Sequence, residues 1–168
     1  DAARVSGITN IQTVQSSVEK MHLAETNFDG AYSRWVLCFV RHPAAVIREV
    51  ARRLKRGGVF VIQDYFRYEG ITIAPPSQAF SRVFQAVCES WRRHGGDPNI
   101  GCKLPGLLHD ARFEVREINP LVRLARPGST LWDWPDTFFD LHLPVLVGMN
   151  LITAADERAF RREWSKRS

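Results

Sequence analysis

The chain has 168 residues, 45% hydrophobic and 11% aromatic, with a formal net charge of +5. This composition excludes a disordered or fibrous chain and suffices for one domain with a core. Its charges alternate in sign rather than forming a block, so the basic excess reads as a solvated surface in preference to a nucleic-acid footprint. Cys38, Cys88 and Cys102 form no CxxC pair, which argues against a disulfide framework or a zinc site and predicts a reducing compartment. No leader-like segment or long apolar span is present, and a soluble cytoplasmic protein is expected.

In chain order, Asp1 to Gly7 reads as the tail of a helix stopped by glycine, and Ile11 to Gln15 as a short strand. Val18 to Met21 is a turn or short helix, and Phe28 to Tyr32 is the next strand. From Ala44 to Leu54, apolar residues at Val46, Ile47, Val50, Ala51 and Leu54 mark one face of a helix that Pro43 begins. Arg48, Arg52, Arg53, Lys55 and Arg56 crowd its other face and last turn, and Gly57-Gly58 is the expected stop. Val59 to Gln63 is a strand whose unbroken apolar run, Val59 to Ile62, predicts cover on both faces.

A loop spans Tyr65 to Pro76, followed by a long helix from Gln78 to His94, with Ser77 as N-cap and Gly95-Gly96 as stop. Asp97 to Gly101 is a turn and Lys103 to Asp110 a short helix. Phe113 to Ile118 is a strand, with pairing resuming through Val122 and Leu124. Pro135 and Pro144 divide the aromatic-rich Ser129 to Asn150 into two or three helical pieces. Thr153, with Asp156 and Glu157, opens a last helix reaching about Trp164. No repeat or linker marks a boundary. Residues 1–168 read as one domain, with core elements in 1–128 and a helical substrate or lid region in 129–168.

The stretch FDGAYSRWVLCFVRHPAAVIREVARRLKRGGVFVIQDYF, Phe28 to Phe66, has the order strand, helix, glycine turn, buried strand ending in an acid. That is a βαβ unit. It resembles the second half of a class I S-adenosylmethionine (SAM)-dependent methyltransferase. The resemblance covers most of Ile8 to Ile118 and implies a three-layer, Rossmann-like α/β fold with a mostly parallel sheet. It implies that Ile11 to Gln15, Phe28 to Tyr32, Val59 to Gln63 and Phe113 to Ile118 are the third to sixth strands of that fold. No Gly-rich strand-to-helix turn precedes the unit, so the domain is expected to be truncated at both ends and not competent as a lone monomer. Missing residues or a second copy would then cover its strand edges.

The resemblance also implies site residues. After the third strand the family usually carries Gly-Asp-Ala/Val-Glu; here Ser16-Ser17-Val18-Glu19 stands in that place. Ser17 replaces the acid that accepts from the adenine amino group, and Val18 would offer its backbone N–H to the ring. At the end of the fourth strand the Ser33 carbonyl would receive the methionine ammonium, Arg34 would face the SAM carboxylate or a substrate, and Trp35 would border the cofactor. Each has a plainer alternative: an exposed turn, a surface ion pair, ordinary packing.

Asp64 and Tyr65 fall at a strand's carboxyl end, where open α/β sheets bind ligands, although Asp64 serves equally as a loop cap. Trp132, Trp134, Phe138 and His142 form either an apolar lid over a substrate, or core packing or an oligomer interface. The five histidines are scattered, no metal-ligand spacing appears, and no catalytic residue is assigned. The function implied is transfer of a methyl group from SAM to a small-molecule O, N or C acceptor. The alternatives are a non-catalytic methyltransferase-like interaction module and, less favoured, an RNA- or DNA-modifying enzyme. A membrane is not an expected partner.

Overall fold

The computed structural model describes residues 7–167. Its organising unit is a parallel pair of strands, β1 (Phe28–Arg34) and β2 (Leu54–Gln63), joined by helix α1 (Pro43–Arg53). The unit forms as its pattern predicts. Pro43 occupies the start of α1, where its missing N–H costs nothing. Val46 and Ile47 are buried, whereas Arg48 and Arg52 face solvent. From Gly30 opposite Val59 to Arg34 opposite Gln63 the register is unbroken.

The glycine pair has a different task from the one predicted. Helix α1 ends at Arg53, and Leu54 is already extended, its N–H bonded to the Val50 carbonyl. The ladder then slips between Phe28 and Gly30, so that five steps of β2 span two of β1. Gly57, at φ +79°, supplies the left-handed residue that this bulge requires.

The sheet has two unlike faces. Ala31, Ser33, Phe60 and Ile62 are half-buried, with Phe60 and Ile62 packed against the core. On the opposite face Tyr32 is 63% exposed, Val59 56% and Val61 50%. The double cover predicted for β2 is therefore not seen among the described residues.

Two further strands are also not found. Ile11 to Gln15 and Phe113 to Ile118 carry no ladder, and Val122 and Leu124 are 92% and 80% exposed. An apolar run makes a strand only when another backbone lies beside it to take its N–H and C=O groups, and neither segment has such a neighbour among the described residues. Of the helical tail predicted for Asp1 to Gly7, Asp1 to Ser6 lie outside the described residues. Val18–Lys20 forms a single 3-10 turn.

Helices make up the rest. Helix α2 (Gln78–Arg93) begins where Ser77 Oγ accepts from Phe80 N at 3.0 Å and is followed by Gly95 at φ +87°. It buries Phe80, Val83, Phe84, Val87, Cys88 and Trp91 along one side. Helix α3 (Leu104–Asp110) is short.

Helix α4 (Thr130–Gly148) is one continuous rod containing both Pro135 and Pro144, not the separate pieces predicted. Each interior proline costs about 3 kcal/mol. Burial of Phe139, Leu143 and Leu146 returns about 1.5–3 kcal/mol apiece, and the carbonyl freed by the exposed Pro144 can turn to water. Tertiary packing thus outweighs the local breakers.

Helix α5 (Ala154–Trp164) starts from a capping box, with Asp156 N donating to Thr153 Oγ1 at 3.1 Å and Thr153 N to Asp156 Oδ2 at 2.9 Å. Phe80, Phe139, Phe160 and Trp164 interlock where α2, α4 and α5 meet, with ring centroids 4.7 Å apart for Phe139 and Phe160. No helix among the described residues is long and apolar enough to cross a membrane.

Because the capping box is the start of α5, Thr153→Ala should lower stability by about 1 kcal/mol in urea denaturation. An unchanged midpoint would mean that α5 is held by packing alone.

Candidate functional site

The carboxyl ends of β1 and β2 are held together by Asp64. Its Oδ2 accepts from Leu37 N at 2.9 Å and Cys38 N at 3.3 Å, and its Oδ1 accepts from Tyr65 N at 2.9 Å. The carboxylate thus spans from the end of β2 to the loop after β1. The capping role is the one observed, and it leaves Asp64 committed to backbone. Buried beside it, the Cys38 thiol is pushed well above its ordinary range by burial and by the Asp64 charge, which favours the thiol over the thiolate.

Trp35 follows β1 with φ +52°, a left-handed conformation that is uncommon for a bulky residue, and its N–H bonds the Gln63 carbonyl at 2.9 Å. The turn lays its indole parallel to the Tyr65 ring, with centroids 5.8 Å apart and planes 3° apart. The Arg34 guanidinium stacks over the indole at 4.1 Å, a cation–π contact that accounts for Arg34 without an ion pair. Burial raises the Tyr65 phenol, which therefore stays protonated and can donate but not serve as a base. Ser33, one residue before Arg34, has a buried Oγ with no hydrogen-bond partner.

The turn that carries Ser17 and Val18 is tied to the start of α1. Glu19, in their 3-10 turn, accepts from the backbone N–H of His42 at 2.8 Å, and His42 is the N-cap of α1. Ser16 holds the turn, its Oγ donating to the Lys20 carbonyl at 3.2 Å, while Ser17 is exposed and makes no cap bond. Farther along, Arg53 is oriented by Glu49 at 2.9 Å and donates to the carbonyls of Met21, Leu23 and Glu25. Segment 19–25 is thereby pinned at both ends of α1.

The aromatic residues of α4 divide. Residues two apart on a helix point about 200° apart. Trp132 stacks on Trp164 of α5 at 4.6 Å. Trp134, Phe138 and His142, at i, i+4 and i+8, share the opposite stripe and stack in sequence at 5.6 and 5.0 Å. Trp134 lies 5.7 Å from Trp35, so this stripe, without Trp132, meets the strand ends. His142 Nε2 lies 3.2 Å from Ser90 Oγ on α2.

Two glycines permit this closeness. A Cβ on Gly96 would stand 2.5 Å from the Cys38 carbonyl oxygen, and one on Gly101 would stand 2.6 Å from Phe66 Cα.

Glu19, Arg53 and Ser90 are absent from the sequence-based site. Only Glu19 had a local signal, its place beside Ser17 and Val18. No group of three or more potential metal ligands occurs among the described residues.

A parallel βαβ unit with polar and aromatic groups at its carboxyl ends is an α/β arrangement, and open sheets of that class bind ligands at this edge. A family model described as a methyltransferase domain matches residues 1–62, which include β1, α1 and all of β2 except its last residue. That match supports a class I SAM-dependent methyltransferase domain over this part of the chain. No curated protein matches the chain.

Asp64→Ala strips three backbone N–H groups of a charged acceptor and should cost about 2–4 kcal/mol in urea denaturation, with Asp64→Asn recovering part of it. A loss under 1 kcal/mol would show that water replaces the carboxylate.

Burial, and then the neighbouring His94, lower the pKa of His142 below the ordinary histidine value of 6.5. The folded chain therefore disfavours a proton that the unfolded chain accepts. The contribution of His142 is intact above that value and diminishes as pH falls through it toward the folded value. His142→Phe should show a shallower loss of stability between pH 7 and pH 5 than the wild type, and parallel profiles would contradict this.

Proposed function

We propose that this chain binds SAM across the carboxyl ends of β1 and β2 and directs its methyl group to a small-molecule O, N or C acceptor. The observation that carries this reading is the strand end itself: the methyltransferase-domain match covers residues 1–62, through β1, α1 and all but the last residue of β2, and Ser33 lies at the end of β1. The groups around it suit this cofactor. Ser17 keeps an exposed hydroxyl to accept the adenine amino group, Val18 presents its backbone beside it, and the Ser33 carbonyl takes the ammonium. Arg34 answers the carboxylate, and the Trp35 and Tyr65 faces suit a cationic centre.

Bound SAM supplies a methyl group activated by a sulfonium. The chain's task is then to position the acceptor and exclude water. Tyr65 and Trp134 form the acceptor side, and His142 closes the far end of the same α4 stripe. Asp64 acts as a positioning residue, and Trp132 supports α4 from behind.

Ser17, standing where the family has an acid, favours one alternative: a methyltransferase-like module that acts by interaction alone. Calorimetric titration of SAM into the chain separates the two. Saturable binding is expected, weakened by Trp35→Ala and tightened about five- to tenfold by Ser17→Asp, because a charged acceptor makes the stronger bond. Ser33→Ala should change little if its carbonyl makes the contact. Absence of saturable binding by the folded chain would remove the enzymatic reading and leave the interaction module.

A further inference from the structure

Between α2 and α4 lies a half-open cavity of about 230 Å³, walled by Phe39, Trp91, Val145 and Met149. Ser90, His94 and His142 are its polar groups. Trp91, in its wall, packs on Phe39 with ring centroids 4.6 Å apart and on Tyr68, which does not line the cavity, at 4.5 Å.

The hydrogen bonds of these polar groups determine what the cavity offers. Ser90 Oγ, 2.7 Å from the Val87 carbonyl, must donate its one proton there, because a carbonyl can only accept. Toward His142 it can then only accept, so His142 Nε2 carries the proton and Nδ1 keeps its lone pair. His94 Nδ1 lies 2.7 Å from the Ser90 carbonyl and must donate to it, which leaves Nε2 as a lone pair. Neither free imidazole nitrogen makes a hydrogen bond among the described residues. The cavity is thus an apolar, aromatic-walled space whose polar groups accept and do not donate. Burial keeps His142 neutral near pH 7, so its acceptor is available.

We infer that this cavity binds a small aromatic molecule bearing a hydroxyl or N–H donor, which it gives to His142 Nδ1. At the close packing of a protein interior the space takes roughly ten heavy atoms, one ring with small substituents or a fused pair. Trp91 and Phe39 offer ring faces and Met149 an adaptable thioether. A ligand with acceptors only would leave the imidazole nitrogen unpaired, so the site selects for the donor.

The test compares p-cresol with toluene, which differ only by the hydroxyl, in calorimetric titrations of the chain without SAM. The site does not depend on methyl transfer, so this result and the SAM titration stand or fall separately. p-Cresol is expected to bind about tenfold tighter than toluene. His142→Phe should bring p-cresol to the affinity of toluene while leaving toluene unchanged, and His142→Asn, which restores an acceptor, should recover most of the difference. Val145→Trp, at a half-exposed wall, should abolish binding of both. Equal affinities in the wild type, undiminished p-cresol binding by His142→Phe, or undiminished binding by Val145→Trp would each overturn the assignment. If His142→Phe fails to fold, the wild-type pair and Val145→Trp decide alone.

Discussion

The carboxylate of Asp64 is the contact on which the rest depends. Parallel strands finish side by side with no hairpin to join them, so their carboxyl ends part unless something bridges the gap. Asp64 does this, taking N–H groups from the loop after β1 and from its own successor. Charge-assisted bonds of this kind are worth about 1.5–3 kcal/mol each, against about 5–15 kcal/mol for a whole domain. With the loop fixed there, Trp35 is held in its left-handed conformation, Tyr65 has a surface to stack on, and Cys38 is sealed beside the core.

The βαβ unit is legible in the sequence because its information is local. Helical spacing at Val46, Ile47 and Val50 and the Pro43 start are signals that neighbouring residues read from one another, and the observed helix begins and ends within a residue of the expected one. The segments at Ile11 and Phe113 fail for the opposite reason. Alternation or an apolar run says which side of a strand would be buried, but pairing needs a second backbone that the segment itself does not specify. Gly57-Gly58 has two local meanings, helix stop and bulge. The choice between them is made at Leu54, where the chain is already extended.

The same division runs through the candidate site. Asp64, Tyr65, Ser33 and Trp35 stand at the strand ends where the sequence places them. The partition of the α4 aromatics is hidden, because prolines at 135 and 144 read as breaks. Only in an unbroken helix do Trp134, Phe138 and His142 fall on one stripe and Trp132 on the other. What holds that helix unbroken is non-local: Phe139 against Phe160 and Trp164, and Arg161 of α5 paired with Asp140 at 2.5 Å. Helices α2 and α5 are also tied by side chains: Ser77, the N-cap of α2, bonds Glu163 near the end of α5, and Arg82 of α2 pairs with Asp156 at the start of α5.

Segment 19–25 lies along α1, fastened by Glu19 near the start of the helix and by Arg53 at its end. No regular ladder ties it to the sheet among the described residues. The Ser17–Val18 turn therefore takes its position from a helix, whereas Ser33 and Trp35 take theirs from a strand. The two halves of the candidate cofactor site belong to different rigid elements, and the distance between them is set by how α1 seats on β2. A side chain as remote as Arg53, on the far end of that helix, becomes a spacing element for a site it never touches. Sliding α1 by a fraction of a turn would open or narrow the gap across which a bridging ligand must reach.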